Sequence, residues 1–227
     1  MGRVSRRGVV LSLGLAAIGL GCGGMNPFLL PYLWSDRQGK NQPEFPLTPP
    51  KKGYDAKVVV FVSSKMGLPA DLTGVDRMLN AELIQALDAL VKSNDEKVQI
   101  LKMPPIDKFK SENPNWRSSR PYEDIGKKFG ADYVIDVEIQ EMDLYKPGPR
   151  KDWLQGHATI WVDAYDLSKL LTEPAYKHEF TFEFPQGREI EKESQAQVSA
   201  FRMKFVQRIA VDIAAKFSAA PTQKRMD

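Results

Sequence analysis

The sequence predicts one α/β domain over residues 57–218, with a mixed sheet in the order β-α-β-α-β-β-β-α and the helices packed on one sheet face. Three observations carry this expectation. "KVVVFVS" (57–63) is an unbroken β-branched and aromatic run, the pattern of a strand buried on both faces. Residues 71–93 repeat apolar side chains at Leu72, Val75, Leu79, Leu83, Ala86 and Leu90, which is helical spacing. Segments 132–143, 154–167 and 175–184 each alternate apolar and polar residues, as the strands of a one-sided antiparallel meander do. The charged fraction is 27% and the apolar fraction 42%, the balance of a folded chain rather than a disordered one.

The remaining elements follow in chain order. "KVQIL" (97–101) is a second strand, and Pro104, Pro105 and Pro114 bracket a short helical turn or loop. Pro121 opens a short helix with Ser119 as its cap, and Gly130 closes it. "KPGPRKD" (146–152) turns the first meander strand into the second. The last helix, about 190–218, carries Val198, Phe201, Phe205, Ile209 and Ile213 along one stripe, with Ser194 and Gln197 spaced as a capping box. Residues 219–227 read as a mobile tail.

Before the domain the composition changes twice. Residues 1–7 are basic, through Arg3, Arg6 and Arg7, and residues 8–21 are uncharged and mostly apolar. The apolar run is shorter than the roughly 20 residues of a membrane span and has the layout of an export leader. The formal charge of +3 resides there, because without those arginines the basic residues balance the 29 acidic ones. A neutral remainder gives no electrostatic reason to bind nucleic acid. Residues 22–56 hold Pro27, Pro31, Pro43, Pro46, Pro49 and Pro50, a density that favours an extended tether. Within it the apolar "PFLLPYLW" (27–34) suits either a membrane interface, through Tyr32 and Trp34, or an apolar patch of the domain.

The single cysteine, Cys22, lies at the end of the leader. Ile18-Gly19-Leu20-Gly21-Cys22 resembles a bacterial lipoprotein signal, in which the cysteine receives lipid after cleavage behind a small residue. That resemblance implies a membrane anchor through acylated Cys22 and a domain facing the periplasm. Gly23 rather than Asp after the cysteine resembles the pattern of outer-membrane sorting. A free thiol and an anchor helix extended through Phe28–Trp34 are the alternatives. Ser5-Arg6-Arg7 also resembles a twin-arginine export signal, beside the plain reading of a basic leader start.

The junction "EDIGKKFGADYVIDVEIQEM" (123–142) resembles a family of bacterial envelope domains. These are the N-terminal domain of the Tol β-propeller protein, the curli-secretion-channel lipoproteins, and the lipoprotein activators of penicillin-binding proteins. The matching residues are Ile125-Gly126, Gly130-Ala131-Asp132 and the apolar strand after them, and the element order agrees over about 57–215. The resemblance implies a domain that binds another envelope protein as an assembly or regulatory factor. Gly130 and Asp132 also have a purely local reading, as a helix C-cap and a strand start.

Candidate functional residues come from the parity of the meander. Tyr133, Ile135, Val137 and Ile139 face the core, leaving Asp136, Glu138 and Gln140 outside; His157, Thr159, Trp161, Asp163 and Tyr165 face away on the next strand. The outer face is therefore polar, acidic and aromatic. It reads either as a solvated face or as a partner-binding face built on Glu138, Trp161, Asp163 and Tyr165. Convergence of His157, Asp136, Glu138 and Asp163 on a metal or an acid-base site is the third option, and an envelope hydrolase or metal-dependent enzyme the alternative function. Two histidines without metal-ligand spacing, and no nucleophile elbow, P-loop or dinucleotide fingerprint, set the expectation at a non-enzyme without cofactor. His178, between aromatic residues, reads as a partly buried ring.

Overall fold

The computed structural model of the chain describes residues 40–65, 68–116, 122–169 and 173–221. The leader, Cys22 and the 27–34 segment lie outside the described residues. The elements are β1 (Lys40–Asn41), β2 (Ala56–Ser64), α1 (Val75–Ser93), β3 (Val98–Ile100), α2 (Met103–Glu112), α3 (Glu123–Phe129), β4 (Tyr133–Tyr145), β5 (Trp153–Asp166), β6 (Tyr176–Phe184), β7 (Ile190–Glu191), α4 (Gln195–Ala214) and β8 (Ala220–Pro221). The main sheet runs β3-β2-β4-β5-β6, with β7 continuing beside the start of β5. β2 is parallel to β3 and β4, and β4, β5 and β6 are antiparallel, so the expected mixed α/β sheet with its meander is present.

β2 is buried on both sides, as its unbroken apolar run requires. Val58, Val60 and Val62 join the larger core under α1 and α4, with Tyr133, Ile135, Val137 and Ile139 of β4 and Ala158, Ile160, Val162 and Ala164 of β5. Both long helices therefore cover one face. Val59 and Phe61 point the other way into a second core with Ile106 and Phe109 of α2, Trp116, Tyr122, Ile125 of α3, Val134 and Tyr165. The sheet is thus half-covered on its outer face by the two short helices with Trp116 and Tyr122. This second layer is an addition to the one-faced packing read from the sequence.

Local chemistry explains the ends of elements. Pro104 and Pro105 open α2, where their missing N–H groups would have had no helical partner. Gly130 ends α3 at φ 58°, the left-handed position in which glycine meets no steric penalty, and its N–H reaches the Gly126 carbonyl. α4 starts at Gln195, later than expected, because the Ser194 hydroxyl caps it by accepting from the Gln197 N–H at 3.2 Å. Ile190 and Glu191 pair instead with Leu154 and Trp153. Ser119 and Pro121 lie outside the described residues.

The domain is longer at both ends than 57–218. Leu47 is buried, Phe45 packs edge-on against Tyr133 and Phe217, and Tyr133 donates its hydroxyl to the Thr48 carbonyl at 3.0 Å. β1 pairs with β8 through Lys40–Pro221 and Asn41–Ala220. The second half of the proline-rich segment is therefore part of the fold. Its prolines forbid helix, but they leave Phe45 and Leu47 free to fill the end of the larger core. The start of the expected tail is ordered by the same pairing.

Candidate functional site

The outer face of β4, β5 and β6 is organised in cross-strand rows. Asp136 stands opposite Asp163, which stands opposite Lys177; Glu138 stands opposite Trp161, which stands opposite Glu179. The row next along pairs Val134 with Tyr165. An irregularity between Ile139 and Glu141 shifts the β4 register by one residue. The alternation reverses there, so Met142 and Leu144 enter the core beyond it.

The candidate residues fall into two environments. Trp161 is 42% exposed. Its indole N–H donates to Glu179 Oε2 at 3.1 Å, and Lys177 Nζ lies 5.9 Å from its ring centre. Glu138, opposite it on β4, and Asp163, two residues along β5, are half-buried. Tyr165, expected on the same exposed face, is only 5% exposed and meets the Tyr122 ring edge-on at 5.1 Å. That expectation is corrected: α2, α3, Trp116 and Tyr122 lie over this end of the sheet. The accessible face is the half centred on Trp161.

Asp136 is likewise buried, at 2% exposure, and accepts a hydrogen bond from the Tyr122 hydroxyl at 2.7 Å. Tyr122 belongs to an aromatic stack with Phe61 and Trp116, whose own rings lie 4.8 Å apart. Lys110 closes the edge of this stack, donating to the Val62 carbonyl at 2.7 Å with its ammonium 5.2 Å from the Trp116 ring. The cluster is buried, and the Tyr122–Asp136 bond ties it to the acidic row. Tyr122 itself adopts φ 73°, a left-handed conformation uncommon outside glycine. Parity on β4 and β5 did not reveal this cluster. The available signal was Ile106 and Phe109 at helical spacing near two further aromatic residues.

His157 does not join the acidic group. It stands opposite Asp143 and Glu183, and six residues of extended strand separate it from Asp163, roughly 20 Å. Among the described residues no three His, Cys, Asp or Glu side chains come together as a metal-holding group. His178 is on the other face, tilted against Phe180 at 4.4 Å, with its side chain 41% exposed, a partly buried ring as read from the sequence.

A second polar centre lies where the chain enters the domain. Glu44 binds Lys216, accepts from the Tyr176 hydroxyl at 2.9 Å and lies 3.9 Å from His178 Nδ1. The Lys216 hydrogen bond, helped by Tyr176, holds the Glu44 carboxyl below its ordinary range. Burial, with the Glu44 carboxylate beside it, pushes the Tyr176 phenol well above its own. Among the described residues no helix is long and apolar enough to cross a membrane.

No family model matches the chain, and no curated protein matches it. Among solved structures it is similar to the PelC dodecamer from Paraburkholderia phytofirmans, at 12% identity and TM-score 0.41, over 78% of this chain and 95% of that one. It is similar also to a lipoprotein from Neisseria meningitidis, at 12% identity and TM-score 0.40, over 68% of this chain and 98% of that one. A minor lipoprotein from Acinetobacter baumannii is similar at 12% identity and TM-score 0.33, over 70% of this chain and 90% of that one.

Proposed function

We propose that this is a lipid-anchored protein of the bacterial cell envelope. Its domain binds another envelope protein, as an assembly or regulatory factor, and does no chemistry of its own. The observation that carries the reading is Trp161, a large aromatic side chain exposed at the centre of a polar strand face. Its neighbours there are Glu138, Glu179 and Lys177. An exposed indole ringed by charged groups has the composition of an interface anchor with a polar rim. The buried aromatic cluster packs on the other half of the same face, and a strand face held by such packing has little ordering cost to meet on binding.

The anchor is Cys22, supported by the leader-like sequence before it, and the membrane is the outer one by the identity of Gly23. The described chain enters through β1 at the end of the sheet where β2 and β4 begin. The 146–152 turn lies at the opposite end, beyond Tyr145. A tether attached at β1 therefore leaves the far end and the Trp161 face reachable from the periplasm. The junction at 123–142, with its likeness to the Tol, curli-secretion and synthase-activator domains, supports protein binding as the role.

The test is in-cell crosslinking of the full-length protein followed by recovery of crosslinked partners, wild type against Trp161→Ala. The expected result is a loss of a defined partner band with an unchanged melting temperature. Equal recovery from both would remove the Trp161 face as the binding surface.

A further inference from the structure

β6 closes the sheet on one side. Its nine residues, Tyr176–Phe184, pair with β5 without a break in register. Its other edge pairs with no strand among the described residues. A long regular edge presents a row of backbone donors and acceptors ready to pair with another strand. Natural sheets blunt such edges with a bulge, a proline, a very short strand or charged side chains, and of these β6 carries only charges, of both signs, at Lys177, Glu179 and Glu183. β6 has no proline and no bulge within it; Pro185 comes only after its end.

The side chains of β6 are complementary to themselves in one antiparallel register. Lys177, Glu179, Thr181 and Glu183 lie on the outer face, and Phe180 and Phe182 lie in the core on the inner face. With Phe180 opposite Phe180 of a second copy, Lys177 meets Glu183 of that copy twice over, and Glu179 meets Thr181. On the inner face His178 meets Phe182 and Tyr176 meets Phe184. This register uses all nine residues and sets no like charges opposite each other. Sliding the strands to the next register of the same parity puts Glu179 opposite Glu179 in one direction and opposite Glu183 in the other. Opposite charges across a strand pair are favourable and like charges are not.

We propose that a second copy of this chain pairs antiparallel with β6 about a twofold axis at Phe180, joining the two sheets into one. The aromatic ladder of the inner face supports this arrangement. The Phe180 and Phe182 rings stack at 5.6 Å and His178 leans on Phe180 at 4.4 Å. The twofold lays this ladder beside its own copy, so the apolar layer under α4 continues across the junction. The two outer faces become one surface, with the Trp161 side chains separated by three strand spacings, roughly 15 Å. A closed twofold of this kind uses the outer β6 edge of each copy and stops at the dimer.

Charge reversal tests it directly. Sedimentation equilibrium of the full-length protein in an excess of density-matched detergent micelles, at low salt, reads the dimer dissociation constant. Lys177→Glu and Glu183→Lys each place two like-charge pairs in the junction and are expected to raise that constant about tenfold or more. The double variant restores opposite charges with their positions exchanged and is expected to return to within about threefold of wild type. A monomeric wild type, single variants that dimerise as well as wild type, or a double variant as dissociated as the singles would each overturn the proposal.

Discussion

Tyr122 donates its hydroxyl to Asp136 across the outer face of the sheet, at 2.7 Å, and both side chains are buried. Tyr122 belongs to the loop before α3 and Asp136 to the middle of β4, so this one bond ties the second layer to the strand that carries the acidic row. Tyr122→Phe keeps the ring in its stack with Phe61 and Trp116 and removes only the donor. A hydrogen bond to a buried carboxyl contributes about 1.5–3 kcal/mol. Urea denaturation should show a loss in that range with an unchanged slope; a loss under about 0.5 kcal/mol would mean that other groups satisfy Asp136 unaided.

Two glycines separate rigid packing from adaptable packing. A Cβ on Gly156 would lie 2.7 Å from Phe205 Cδ1, within the ring of a fully buried side chain. A Cβ on Gly126 would lie 2.2 Å from Leu167 Cδ1, the tip of a partly buried side chain that can turn away. Gly156→Ala should cost about 1–3 kcal/mol, the range for overpacking a core, and Gly126→Ala less. Melting temperatures of the two variants decide the order, and the reverse order would contradict the rigidity assigned to Phe205.

Glu44 makes stability depend on acid. Its folded-state carboxyl is held below the ordinary value of 4.5 by Lys216 and Tyr176. A depressed carboxyl contributes stability that is fully present above the unfolded value and is lost as pH falls through the folded one. The melting temperature of wild type should therefore drop more steeply below about pH 4.5 than that of Glu44→Gln, while the two curves run parallel near neutrality. Parallel curves throughout would show that the Lys216–Glu44 contact adds no pH-dependent stability.

The anchor is tested by mass. Intact-mass analysis of the protein extracted from membranes should find a chain lacking residues 1–21 and carrying acyl groups on Cys22. In Cys22→Ser both changes should vanish and the protein should leave the membrane fraction. An unprocessed, unmodified wild type would place the tether elsewhere.

Alternation along β4, β5 and β6 made the inner face legible residue by residue, because a strand has no choice but to send successive side chains to opposite sides. The same rule could not distinguish Trp161 from Tyr165. They share parity, chemistry and strand, yet one is open and the other is closed beneath Tyr122. Nor could it anticipate that Phe45 and Leu47, inside a proline-rich run, belong to the domain.

The sequence by itself determined the order of elements, the doubly buried β2, the helix cap at Ser194, the C-cap at Gly130 and the inward set of the meander. Each of these depends on neighbours within a few residues, where backbone geometry and hydrophobic period dictate the outcome. The tertiary structure alone decided how far α2 and α3 reach over the outer face, and so which half of the acidic row stays accessible. It also decided that, among the described residues, β6 is the last strand of the sheet. Those outcomes arise from contacts between distant segments, such as Phe61 with Trp116 and Tyr122 with Asp136, whose free energy exists only once the layers are assembled.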